Sequence, residues 1–141
     1  MKLRSVQIIA NILIFNIFFI DICGGKLTES SGVVDFFKPQ GLPTNLVECV
    51  WLIQTPASRF VQLNITKFSL QNTDCNVTKL SLFEGLVTSS ISSRYEFCSG
   101  NPPKRELVMA GPYITVSLVA DGGLLSNGGF QLTYRYNDSG Q

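Results

Sequence analysis

Hydrophobic residues follow two regimes along this chain. From Val6 to Ile22 they run almost unbroken, with Asn11, Asn16 and Asp21 as the main polar interruptions. From Cys23 onward the pattern takes a period of two. Cys49, Trp51 and Ile53 interleave with Val50 and Leu52, and Val61, Leu63 and Ile65 alternate with Gln62, Asn64 and Thr66. Leu80 with Leu82, the series Ile114, Val116, Leu118 and Ala120, and the series Phe130, Leu132, Tyr134 and Tyr136 set against Gln131, Thr133 and Arg135 continue it. Successive side chains of a strand point to opposite sheet faces, so this period predicts half-buried antiparallel strands. Turn residues separate them at Lys38-Pro39 to Pro43, Gly100 to Pro103, Gly111-Pro112, and Asp121-Gly122-Gly123 through Gly128-Gly129. No helical stripe, repeat or low-complexity tract is present. An all-β chain with this many one-sided strands buries their inner faces most simply in a two-sheet sandwich.

The first regime is a targeting signal. Lys2 and Arg4 precede the apolar run, the charged-then-apolar order of a secretory leader, and residues 1–22 are read as a signal peptide. The competing reading is a membrane anchor, but the run falls short of the roughly 20 apolar residues that a bilayer requires. Cleavage is expected close to Cys23, although no clean small-x-small pair precedes it. The secreted domain then occupies residues 23–136, with 137–141 as a tail, and membrane contact arises only through an uncleaved leader.

Cysteine usage agrees with export. The four cysteines, Cys23, Cys49, Cys75 and Cys98, form an even set in a chain bound for an oxidising compartment, and three pairings are open to them. A zinc site is disfavoured, because no two cysteines stand at C-x-x-C spacing and the chain has no histidine. Sequons begin at Asn64, Asn76 and Asn137, and glycan is expected at Asn64, on the polar face of its strand, and at Asn76, in a loop. With 11 basic and 10 acidic residues there is no electrostatic case for nucleic acid. The missing imidazole removes the usual base of a hydrolytic triad, so clusters such as Ser89-Ser90 and Ser92-Ser93 read as polar loop, and the ten acids identify no catalytic pair. No cofactor is expected. Trp51, sharing a strand face with Cys49 and Ile53, reads as core, and Lys104 with Arg105 reads as a solvated basic pair.

Beyond the generic pattern, an ordered set of motifs resembles the CUB domain family. Cys23-Gly24-Gly25-Lys26-Leu27 is similar to the family's opening Cys-Gly-Gly-x-Leu, with Gly32 following, and Cys49-Val50-Trp51-Leu52-Ile53 is similar to its Cys-x-Trp-x-Ile. Phe68-Ser69-Leu70, Cys75, Leu80, Leu82 and Gly85 fall in family order. Cys98-Ser99-Gly100 has one residue more than the usual spacing, and Ala120-Asp121, Gly129-Phe130 and Tyr134 close the pattern.

The resemblance implies a jelly-roll-like antiparallel β-sandwich with two disulfides, joining Cys23 to Cys49 and Cys75 to Cys98. It also implies an extracellular, non-catalytic module that recognises another protein through loops and one sheet face. Many CUB domains bind calcium through acids at one end of the sandwich. Here Gln71 and Thr78 occupy two of those places and only Asp121 keeps its carboxylate, so recognition is expected not to need calcium. Two other readings of the same motifs are an amino-terminal domain of a larger receptor or protease, and a carbohydrate-binding adhesin.

Overall fold

The structure is a computed structural model that describes residues 23–37, 46–70, 75–86, 92–121 and 128–137. Residues 1–22, the expected leader, lie outside the described residues. Among these residues there are nine strands and no helix: β1 (Gly25–Leu27), β2 (Ser31–Phe37), β3 (Leu46–Gln54), β4 (Phe60–Ser69), β5 (Lys79–Glu84), β6 (Tyr95–Phe97), β7 (Leu107–Ala110), β8 (Tyr113–Asp121) and β9 (Gly129–Tyr136). They form a five-stranded sheet in the order β1-β3-β8-β5-β6 and a four-stranded sheet in the order β2-β9-β4-β7. Every pairing is antiparallel except the short parallel contact of β1 with β3.

Register turns the period-two pattern into a core. In the five-stranded sheet Trp51 faces Val116, which faces Leu82, and Cys49 faces Leu118, which faces Leu80 and then Phe97. In the four-stranded sheet Leu63, Tyr134 and Gly32 form one row, and Phe68, Phe130 and Phe36 another. A shift of one residue would carry each of these sets to the solvent side, so the buried rows specify the register. Trp51 fills the centre, edge-on to Phe130 at 5.4 Å between ring centroids and tilted against Phe36 at 6.4 Å.

Two glycines permit close approach. The Tyr134 ring lies over Gly32, where a Cβ would come within 2.8 Å of it. A Cβ on Gly129, whose φ is +157°, would collide with the Phe36 carbonyl oxygen. The disulfide Cys23–Cys49 ties the segment before β1 to β3, and Cys75–Cys98 ties the turn before β5 to the end of β6, each with Cα atoms 5.4 Å apart. Closing loops of 26 and 23 residues is worth roughly 3 to 4 kcal/mol apiece by the chain entropy it removes.

Candidate functional site

One end of the sandwich holds two of the three positions that the resemblance to the family implies as calcium ligands, Thr78 and Asp121. β4 reaches this end beside the start of β9, where Ser69 pairs with Gly129. β5 enters beside the exit of β8, where Lys79 pairs with Val119. Thr78 and Asp121 therefore stand at a common end. The Thr78 side chain is fully buried, and Asp121 closes β8 paired with Leu46. Gln71 follows Leu70 outside the described residues. The described residues contain no group of three or more His, Cys, Asp or Glu able to hold a metal ion.

The outer face of the four-stranded sheet has a different character. Most of it is polar, as the alternation of β4 and β9 requires, yet Val33 is 52% exposed, Val108 49% and Phe60 73%. Val108, Gln62, Arg135 and Ser31 form one row across β7, β4, β9 and β2. Phe60 begins β4 one step along the same face, opposite Ala110, and so lies diagonal to both Val108 and Arg135. A depression of about 440 Å³ opens at this corner, lined by Phe60, Gln62, Val108, Arg135, Tyr136 and Asn137. The Arg59 guanidinium donates to the Asn137 carbonyl at its rim. A second depression of about 320 Å³ adjoins it through Gln62 and Arg135 and extends to Val33, Asn64 and Glu106.

The other residues singled out from the sequence sit as follows. Asn64 is exposed on this same outer face, and Thr66 of its sequon donates to Gln131 Oε1 at 2.9 Å. Asn76 is exposed in the turn after Cys75, and Lys104 and Arg105 are exposed ahead of β7. Asn137 is described, whereas the rest of its sequon is not. Sequence reasoning did not find the corner, because Phe60, Val108 and Arg135 belong to three strands and meet only through sheet pairing. On the inner face, Tyr134 Oη donates to the Glu29 carbonyl at 3.2 Å and Tyr136 Oη to that of Thr28 at 3.3 Å. Burial, reinforced by Tyr136 and Glu29, raises the Tyr134 phenol above its ordinary 10.0.

The family profile for the CUB domain matches residues 23–134. The chain belongs to the CUB domain family. Among CUB-containing relatives, membrane frizzled-related protein of Homo sapiens is 34% identical over 116 residues, covering 79% of this chain and 19% of that protein. The cubilin homolog of Caenorhabditis elegans is 25% identical over 122 residues, covering 81% of this chain and 3% of that protein. The chain thus spans a fifth or less of the curated relatives it matches here. A solved structure of the CUB1-EGF-CUB2 domains of rat MASP-1 superposes with a TM-score of 0.59 at 22% identity, covering 81% of this chain and 42% of that one, and shows the shared CUB fold.

CUB domains are non-catalytic modules of extracellular proteins. Two regions of this CUB domain are distinct: the end where Thr78 and Asp121 lie, and the outer sheet face with the exposed Phe60 and Val108.

Proposed function

We propose that the protein is a secreted, glycosylated CUB module, with residues 1–22 as its leader and 23–136 as its domain, that recognises another extracellular protein without catalysis. The observation that carries this reading is the outer face of the four-stranded sheet, where large apolar side chains stand in solvent on well-paired strands. Single exposed apolar residues are ordinary, but Phe60 and Val108 adjoin on one face, and such a group marks an interaction surface. Affinity capture from extracellular fluid with the secreted module tests it. A partner retained by the wild type and lost on Phe60→Ser with Val108→Ser would support the reading. Retention of nothing would overturn it.

Recognition is proposed to be independent of calcium. Hard cations bind through several oxygens, and carboxylates supply most of the affinity. A buried Thr78 hydroxyl and the Gln71 amide replace two charges, and Asp121 alone remains. A ligand that binds the native state raises stability with the logarithm of its concentration over its dissociation constant. Melting in millimolar calcium and in chelator should therefore coincide. A clear rise in calcium that disappears in Asp121→Ala would refute calcium independence.

A further inference from the structure

The corner depression on the outer face is built from unlike parts. Phe60 and Val108 give it an apolar floor, Gln62 stands between Val108 and Arg135 in one row, and no carboxylate lines it. Arg135 is exposed and its guanidinium makes no ion pair or hydrogen bond among the described residues, whereas Arg94 is paired with Glu84 and Arg59 is held on the Asn137 carbonyl.

We propose that this corner receives a segment of the partner protein in which a carboxylate is flanked by large apolar side chains, the carboxylate on Arg135 and the apolar groups on Phe60 and Val108. The inference rests on the protein-recognition reading above and names the chemistry of the partner. Three features select that occupant. A guanidinium presents a planar fork of donors that matches a carboxylate in two bonds at once. An aromatic ring beside it gives an apolar side chain a dry contact, and aromatic and arginine side chains together are the usual anchors of protein interfaces. The second cation, Arg59, sits at the rim, so a basic segment would meet repulsion from two guanidinium groups. Glu106 lines the adjoining depression and bounds the positive corner on that side. A sulfated glycan would want a longer run of cations than this face offers.

The test uses the secreted chain labelled with ¹⁵N, carrying Asn64→Gln and Asn137→Gln so that no sugar can be attached on this face or at its rim. The probes are blocked decapeptides with one Glu or Asp between Leu and Phe, matched decapeptides with Gln or Asn in its place, and a heparin-derived hexasaccharide. The acidic peptides should shift amide signals around Phe60, Gln62, Val108 and Arg135. Arg135→Glu should weaken them at least tenfold and Phe60→Ser at least fivefold, with unchanged melting temperatures. Equal response to acidic and amide peptides, an unchanged affinity in Arg135→Glu, or shifts produced by the hexasaccharide alone would overturn the proposal. Capture from extracellular fluid separates the two levels. A partner retained equally by wild type and by the Phe60→Ser, Arg135→Glu double variant would refute the corner while leaving protein recognition standing. No partner on either chain, together with silent peptides, would refute both.

Discussion

Replacing Trp51 by alanine removes the keystone between the sheets, and its cost follows from the contacts. Trp51 is 7% exposed, and an indole buries some 150 to 250 Å², so at about 25 cal/mol per Å² its burial is worth at most about 4 to 6 kcal/mol. The edge-on contact with Phe130 and the tilted one with Phe36 add up to about 1 kcal/mol each, while alanine retains part of the buried stem. A loss of about 3 to 5 kcal/mol results, the range measured for such truncations. In a domain of about 100 residues that lowers the melting temperature by roughly 15 to 25 °C, enough to consume much of a typical stability. Thermal melting followed by far-UV circular dichroism measures it, and Trp51→Phe, which keeps a ring against Phe130, should lose less than half as much. Because this is the only tryptophan in the chain, wild-type fluorescence reports core opening directly and should shift to the red on unfolding. A Trp51→Ala protein that is secreted normally and melts where the wild type does would refute the placement of the indole in the core.

Gly129→Ala sets a Cβ against the Phe36 carbonyl and within 2.5 Å of Phe37 Cα, and should cost at least about 2 kcal/mol through forced separation of β2 from β9. An unchanged denaturation midpoint would contradict that packing. The Tyr134 phenol, held protonated in the folded state above its ordinary 10.0, gives a pH signature. Above pH 10 the unfolded chain gives up this proton before the folded one, so the native state binds more protons and stability falls as pH rises through that region. Its contribution is flat below that point, and Tyr134→Phe should remove this part of the alkaline slope while losing about 1 kcal/mol for the bond to Glu29. Identical slopes in the two proteins would refute it. Enzymatic deglycosylation of the secreted protein should lower its mass, with Asn64→Gln and Asn76→Gln each removing one glycan, and an unchanged mass would refute occupancy at both.

The strands most plainly legible in the sequence are those with polar outward positions, while β3, β5 and β8 are marked by their inward series alone: Cys49, Trp51 and Ile53; Leu80 and Leu82; Ile114 to Ala120. β4 and β9 alternate cleanly, because Gln62 and Asn64 on one and Gln131, Thr133 and Arg135 on the other face water. β2 and β7 were not legible, and the reason is physical. Val33 and Phe37 on β2, and Val108 on β7, are apolar side chains on the outer face, so the binary pattern that marks a half-buried strand is erased. β1 and β6 are three residues each, too short to show any period. The CUB family, the all-β sandwich and its two disulfides were readable because closely spaced motifs around Cys23, Cys49, Cys75 and Cys98 carry them. The corner at Phe60, Val108 and Arg135 was not, since its members lie in three separate strands and nothing in one strand announces the others.

That failure of patterning and the candidate surface have a common origin. An outward apolar residue on a strand gains nothing from the core of its own domain, and exposed apolar surface invites association at sheet edges. β7 is an edge strand of the four-stranded sheet and β2 the other, so Val108 and Val33 stand where a polar residue would be the safer choice for solubility. Polar replacements there should leave folding untouched, because neither side chain joins the buried rows, whereas the same change at Leu107 or Met109, the inward neighbours of Val108 on β7, should destabilise by about 2 to 4 kcal/mol. Comparing Val108→Ser with Met109→Ser in denaturation and in partner capture therefore divides the two roles of one strand. Loss of capture without loss of stability at Val108, and the reverse order of effects at Met109, is the expected result. Equal destabilisation at both would place Val108 in a packing role and leave the outer face without its apolar floor.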